Sequence, residues 1–291
     1  AMLRESVAPD YLRKRGGMAN LAANGRGQGF PDNGAFLRAA IPDRVDIIED
    51  IIAEGDRVGM LWRLTGTHKG ALFGIPATGR SIDIHEFGIF RLKDGKISEG
   101  WFMADELGLL IQLGCMLPPR KDGQLIVPAV TEEGEDGDDV VKRMLGGPLD
   151  TREARNKLIV ARSKSSFVQK HDRANYTQLR WGLQHLRDWG LANGTAQFDP
   201  SHAFPGRNDR IKGQIAEGDK VLMEFNLRGT NSQSFYGLPP TGRRCEMPEV
   251  SISRFEGDTW VDGWCLADGV GMLLQLDALD LLKKLGCKPL G

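Results

Sequence analysis

Ile52-Ala53-Glu54-Gly55-Asp56 recurs letter for letter as Ile215-Ala216-Glu217-Gly218-Asp219. Extended outward from this stretch, residues 40–113 superpose on 203–276 without a gap at an offset of 163, and 31 of the 74 positions are identical. Unrelated sequences agree at roughly one position in sixteen, so the chain is a tandem duplication. Pro76-x-Thr78-Gly79-Arg80 returns as Pro239-x-Thr241-Gly242-Arg243, and Gly100-Trp101-x-x-Ala104-Asp105 as Gly263-Trp264-x-x-Ala267-Asp268. The repeat divides the chain into a first copy over 1–117 and a second, more diverged copy over 151–291. Residues 118–150, with Pro118-Pro119 and the acidic run from Glu132 to Asp139, read as a solvated linker carrying a short helix near Val140 to Met144.

Within each copy the apolar pattern is that of strands. Val58, Met60, Trp62 and Leu64 alternate with other residues, and Val221, Met223, Phe225 and Leu227 repeat the set. Ile82 to Leu92 and Ile97 to Met103 flank Asp94-Gly95, a pair suited to the positive φ angles of a type I′ hairpin turn. Asp105 to Leu113 and Asp268 to Leu285 switch to helical spacing, each opening on an aspartate placed to cap it. Asn33 to Ala40, Arg152 to Gln169 and Gln178 to Trp189 also have helical composition, and Arg13-Lys14-Arg15 reads as a solvated helix end. Helices, then antiparallel strands, then a closing helix make an α+β unit used twice.

Composition narrows the function. Thirty-eight basic and 39 acidic side chains leave a net charge of −1, which argues against nucleic-acid and membrane-surface partners. Cys115, Cys245, Cys265 and Cys287 are too far apart for a zinc site, and no metal or other cofactor is expected. The first residues lack a signal-peptide core, so a cytoplasmic protein is expected, and Ala1 before Met2 reads as the remnant of an expression tag.

Ile-Pro-Asp (41–43), Ile-Ala-Glu-Gly-Asp (52–56), Leu-Thr-Gly-Thr-His (64–68), Phe-Gly-Ile-Pro-Ala-Thr-Gly-Arg (73–80), Asp-Gly-Lys-Ile (94–97) and Asp-Glu-Leu-Gly-Leu-Leu-Ile-Gln-Leu-Gly (105–114), in this order, resemble the SnoaL-like polyketide cyclase family. The resemblance implies a cone-shaped α+β half-barrel of the kind shared with ketosteroid isomerase and nuclear transport factor 2, in which a curved sheet wraps around helices and an apolar pocket. It also implies pairing through the sheets, here an intramolecular pseudo-dimer, with a further homo-oligomer left open. The resemblance also implies an opening long helix that closes the cone; the first copy begins after that point, so the expectation is either that 152–169 supplies it or that the true start lies upstream.

Cyclases of the family close a ring with an aspartate and a histidine that the motif aligns with Phe102 and Gly88 in the first copy, and with Cys265 and Ser251 in the second. Neither copy keeps the pair. Glu86 and its counterpart Glu249 share the strand face of Gly88 and Ser251, which makes Glu86 a candidate base and Glu249 a weaker one. Trp62, His68, Ile84, Gly88, Trp101 and Phe102 are expected to line the first pocket, and Phe225, Met247, Ser251, Trp264 and Cys265 the second. The readings that follow are a cofactor-independent cyclase or isomerase acting on an apolar carbonyl compound, a protein that holds such a molecule without chemistry, and a second copy that serves only as a fixed partner.

Overall fold

The computed structural model describes residues 6–26, 35–131, 133–166, 177–194 and 203–290. Ile52-Ala53-Glu54-Gly55-Asp56 turns strand β2 (Val45–Glu54) into β3 (Arg57–Thr67), with Gly55 at φ 60° where a side chain would be strained. The predicted hairpin joins β4 (Ser81–Lys93) to β5 (Lys96–Ala104), and Asp94 and Gly95 both take positive φ, 51° and 72°. A strand absent from the sequence reading, β1 (Val7–Gly16), lies parallel to β5, giving the order β1-β5-β4-β3-β2. Arg13-Lys14-Arg15 therefore belongs to a strand and not to a helix end. Short helices α1 (Ala19–Arg26) and α2 (Ala35–Ala40) precede β2, and α3 (Glu106–Leu113) closes the copy.

The second copy repeats this plan. A two-residue strand, β6 (Glu135–Asp136), leads into helices α4 (Gly137–Leu145) and α5 (Arg152–Arg162). There follow β7 (Thr177–Trp181), α6 (Gln184–Ala192), β8 (Asn208–Glu217), β9 (Lys220–Thr230), β10 (Arg244–Glu256), β11 (Thr259–Ala267), α7 (Gly269–Gln275) and α8 (Leu281–Lys284). The sheet order is β6-β8-β9-β10-β11-β7, with β7 parallel to β11 as β1 is to β5. Residues 177–181 are thus a strand where helical composition pointed to a helix.

The linker reading of 118–150 needs correction. Val140 and Val141 of α4 are buried with Leu158, Val160 and Ala161 of α5 against Ile211, Met223, Phe225 and Phe255 on the concave face of the second sheet. Apolar burial on this scale is what a solvated linker lacks. Helix α5 accordingly covers its own copy; it does not close the first.

The two sheets pack against each other through their convex faces. Ile52, Leu61, Phe87, Ile89 and Met103 from the first meet Ile215, Leu222, Val250, Ile252 and Leu266 from the second in one buried cluster. The repeated motif closes on itself across the pseudo-twofold axis: the Ala53 amide donates to Glu217 Oε2 at 2.7 Å, and the Ala216 amide to Glu54 Oε2 at 2.9 Å. Such reciprocity is the mark of an isologous interface. At the ends of the sheets, Leu107, Leu110 and Leu113 of α3 share a second core with Val270, Leu273 and Leu274 of α7. Among the described residues no helix is long and apolar enough to cross a membrane.

Candidate functional site

Strand alternation assigns the expected pocket residues to faces. Met60, Gly88, Phe102 and Arg15 sit opposite one another across β3, β4, β5 and β1, and the next row is Ile48, Trp62, Glu86 and Ala104. These side chains share the concave face. Ile84 lies there too, in the core beneath Leu64, its partner on β3. Trp101 is adjacent to Phe102 and must point the other way, into the contact between the sheets; Trp264 does the same in the second copy. Neither tryptophan lines a cone.

Three aromatic rings form the wall of the first cone. Phe102 meets Trp62 edge-on at 6.2 Å and Phe90 at 5.4 Å, and the Arg13 guanidinium lies 4.8 Å above the Phe102 ring. Gly88 is the floor on which they converge: a Cβ there would fall 2.8 Å from Phe90 Cζ and 3.0 Å from Trp62 Cζ3. At the position the resemblance assigns to a histidine, a side chain would have to displace the Phe90 and Trp62 rings. Glu86 is buried, and Arg15 Nη2 donates to its Oε1 at 2.6 Å. A carboxylate so held is a structural anion before it is a base.

The second cone repeats the pair in a drier setting. Arg180 Nη2 donates to Glu249 Oε2 at 2.9 Å, and the Cys265 thiol donates to the same oxygen at 3.0 Å. Burial works to raise the pKa of Glu249, but Arg180, Lys164 and Arg207 outweigh it and hold the carboxyl below its ordinary value. Burial beside that carboxylate pushes the Cys265 thiol far up, so it is no nucleophile. Lys164 Nζ caps the Phe225 ring at 3.6 Å, Ser251 is buried, and Met247 is core.

Coverage is where the copies part. In the second, Ile211 is 5% exposed beneath α4 and α5; its counterpart Ile48 is 59% exposed. Ile51 is likewise exposed, and Met60, Phe90 and Phe102 are half-buried. Among the described residues no helix covers this face of the first copy.

His68 is not a rim group. It is buried, its Nδ1 lies 3.0 Å from Thr78 Oγ1, and its backbone pairs with Gly79 and Arg80. Asn231 does the same work in the second copy, accepting from the Thr241 amide at 2.9 Å and its hydroxyl at 3.1 Å. Both residues pin the Pro-x-Thr-Gly-Arg loop. His68→Asn is expected to change stability by less than about 1 kcal/mol, while His68→Leu strands the loop's donors and costs about 1–3 kcal/mol. Urea unfolding of the two variants checks this; a larger loss for asparagine than for leucine would contradict it.

Arg15 and Arg180 are the site residues that the sequence reading missed. Their signal is Tyr11-x-x-x-Arg15-x-Gly17-x-x-x-Leu21 against Tyr176-x-x-x-Arg180-x-Gly182-x-x-x-Leu186, displaced by 165 and not 163, so a gapless comparison passes over it. The described residues contain no group of three His, Cys, Asp or Glu that could hold a metal, and all four cysteines are free and buried.

The sequence profile of SnoaL-like polyketide cyclases matches residues 2–113 and 195–276, together well over half of the chain. The chain belongs to the SnoaL-like polyketide cyclase family. Its two matched segments are the two copies, and the family's α+β cone is the fold of each. Among solved structures, the SnoaL-like chain is 25% identical to a candidate SnoaL-like polyketide cyclase from a Jannaschia species, over 40% of this chain and 78% of that one, with a TM-score of 0.32. It is 30% identical to IdmH, a candidate polyketide cyclase from Streptomyces antibioticus, over 38% and 84%, at a TM-score of 0.33. It is 27% identical to AclR, a candidate hydroxylase from Streptomyces galilaeus, over 38% and 79%, at 0.30. No curated protein matches the SnoaL-like chain.

Proposed function

We propose that this SnoaL-like protein binds an apolar small molecule on the concave face of its first copy, and that the second copy is a sealed, non-catalytic partner. The observation that carries the reading is the contrast in coverage. Trp62, Phe90 and Phe102 form an aromatic wall that no described helix caps, whereas the same face of the second copy is filled by α4 and α5. Open apolar surface of this kind is where a flat hydrophobic ligand gains most from leaving water. The family's acid/base positions hold Phe102 and Gly88, which supply surface and no protons.

The test is a fluorescence titration with anilinonaphthalene sulfonate. Saturable binding to the first copy is expected, weakened about tenfold or more by Phe102→Ser through loss of stacking and buried area. An unchanged affinity in that variant would remove the first cone from consideration.

A second reading, a cofactor-independent cyclase or isomerase, is favoured by one observation: Glu86 is buried on the same face as the wall, with the Arg15 cation beside it to balance charge developing on a substrate oxygen. On this reading Glu86→Gln abolishes turnover of a bound carbonyl compound while leaving its affinity within about twofold. Turnover that survives the change would dismiss it.

A further inference from the structure

At the edge of the contact between the copies lies a cavity, open to solvent on one side, of about 670 Å³, a volume ordinary for a small-molecule site. Its walls include Gly16, Trp101 and Glu106 from the first copy, and Lys212, Pro248 and Asp268 from the second. The pseudo-twofold axis generates a counterpart lined by Glu49, His85, Asp105, Trp181 and His185, of only about 260 Å³. Four substitutions between equivalent positions distinguish the two sides.

Strand register makes Gly16 the counterpart of Trp181, because Gly16 pairs with Met103 and Trp181 with Leu266, residues 163 apart. On the small side Trp181 stacks on His85 at 3.8 Å and fills the notch; on the large side Gly16 and Pro248 leave it open. The third substitution removes a carboxylate. Lys220 pairs with Asp50 at 2.8 Å, but the equivalent cation Arg57 faces Gly213, where a Cβ would sit 2.6 Å from its Nη1. Among the described residues no carboxylate lies within ion-pair distance of Arg57, which lines the cavity.

The fourth substitution adds an acid. Glu106 stands where the second copy has Gly269. It is 5% exposed and lines the cavity; its Oε2 accepts from the Met18 amide at 2.7 Å, and its buried Oε1 has no partner. Burial, then the neighbouring Asp268 and Asp105, raise its pKa to about 8 against the pull of the Met18 amide and Arg15. Below that value the side chain is a carboxylic acid with a proton to donate. The other cations of the lining are already paired: Lys212 with Glu224 at 2.8 Å, Arg15 with Glu86 at 2.6 Å, Arg91 with Asp56 at 3.7 Å and Lys14 with Glu99 at 3.8 Å.

We infer that the cavity between the copies is a second ligand site, built for a planar apolar carboxylate whose anionic end meets Arg57 and whose carbonyl oxygen, at the other end, accepts from Glu106. Trp101, Ile89, Val270 and Leu274 supply the apolar wall. Arg15 and Phe90, which belong to the first concave face, also border this cavity.

Calorimetry with acetylnaphthoate tests it, with naphthoate and acetonaphthone each lacking one of the two polar ends. Saturable binding of acetylnaphthoate is expected, weakened about tenfold by Arg57→Met and by loss of either end from the probe. Gly213→Asp returns a carboxylate to Arg57 and is expected to weaken binding by a similar factor without removing any cavity group. Affinity for the wild type should fall as pH rises through 8, because an ionised Glu106 cannot donate and repels the anion; Glu106→Gln keeps a donor and should bind with no such pH dependence. Absence of saturable binding would overturn the inference. So would affinity untouched by Arg57→Met and Gly213→Asp, or lost instead with Phe102→Ser.

Discussion

Glu106→Gln is expected to stabilise the protein at pH 9 by about 5 kcal/mol and to leave its stability at pH 4 nearly unchanged. The folded-state pKa of this carboxyl is raised from 4.5 to about 8, chiefly by burial and then by Asp268. A tenfold change in a proton-binding constant is worth about 1.4 kcal/mol of differential stability between the two protonation states. A raised carboxyl favours the fold fully while it is protonated below pH 4.5. That contribution is lost progressively as pH rises to about 8, where the unfolded chain has long since ionised. Glutamine keeps the acceptor for the Met18 amide and has no proton to lose. Urea midpoints measured at several pH values would show the wild type weakening across this window and the variant flat; parallel profiles would mean that Glu106 titrates as an ordinary surface acid.

Arg180→Leu is expected to cost about 3–5 kcal/mol, because it strips the buried carboxylate of Glu249, 1% exposed, of its ion-pair partner. The pH signature is the reverse of that of Glu106. Glu249 has a depressed pKa, so its contribution is present above pH 4.5 and lost as acid protonates it in the fold. The deficit of Arg180→Leu relative to wild type should accordingly be largest near neutrality and shrink in acid. Adding Glu249→Gln to Arg180→Leu should recover a substantial part, since the stranded charge is then gone. Thermal melts of the single and double variants decide this; a double variant no better than the single would show that Arg180 matters for packing and not for charge.

These two acids also show what could be read from the sequence. The duplication, the hairpins at Asp94-Gly95, and the caps at Asp105 and Asp268 were legible because they rest on local rules: side-chain alternation, turn chemistry and the need of a helix start for an acceptor. The faces of Glu86 and Glu249 followed from the same period of two. Their arginine partners did not, because β1 and β7 join their sheets by parallel pairing with strands some 85 residues away, which no local pattern announces. Trp101 and Trp264 drew attention through size, yet parity sends them to the sheet interface and not to a cone. Least legible was the cavity between the copies, since Gly16, Pro248 and Gly213 define it by what they leave empty.

The reciprocal bonds of Ala53 with Glu217 and Ala216 with Glu54 preserve the geometry of a symmetric pair inside one polypeptide. In an association of identical chains every change at the contact arrives twice, so a residue useful on one side is tolerated only if it is harmless on the other. Covalent fusion lifts that restriction: tryptophan can occupy position 181 while glycine stays at 16, and an acid can enter at 106 while 269 stays bare. Each flank of the axis is then free to be edited alone. A scaffold that began with two equal edges can in this way keep one as a seal and hollow out the other.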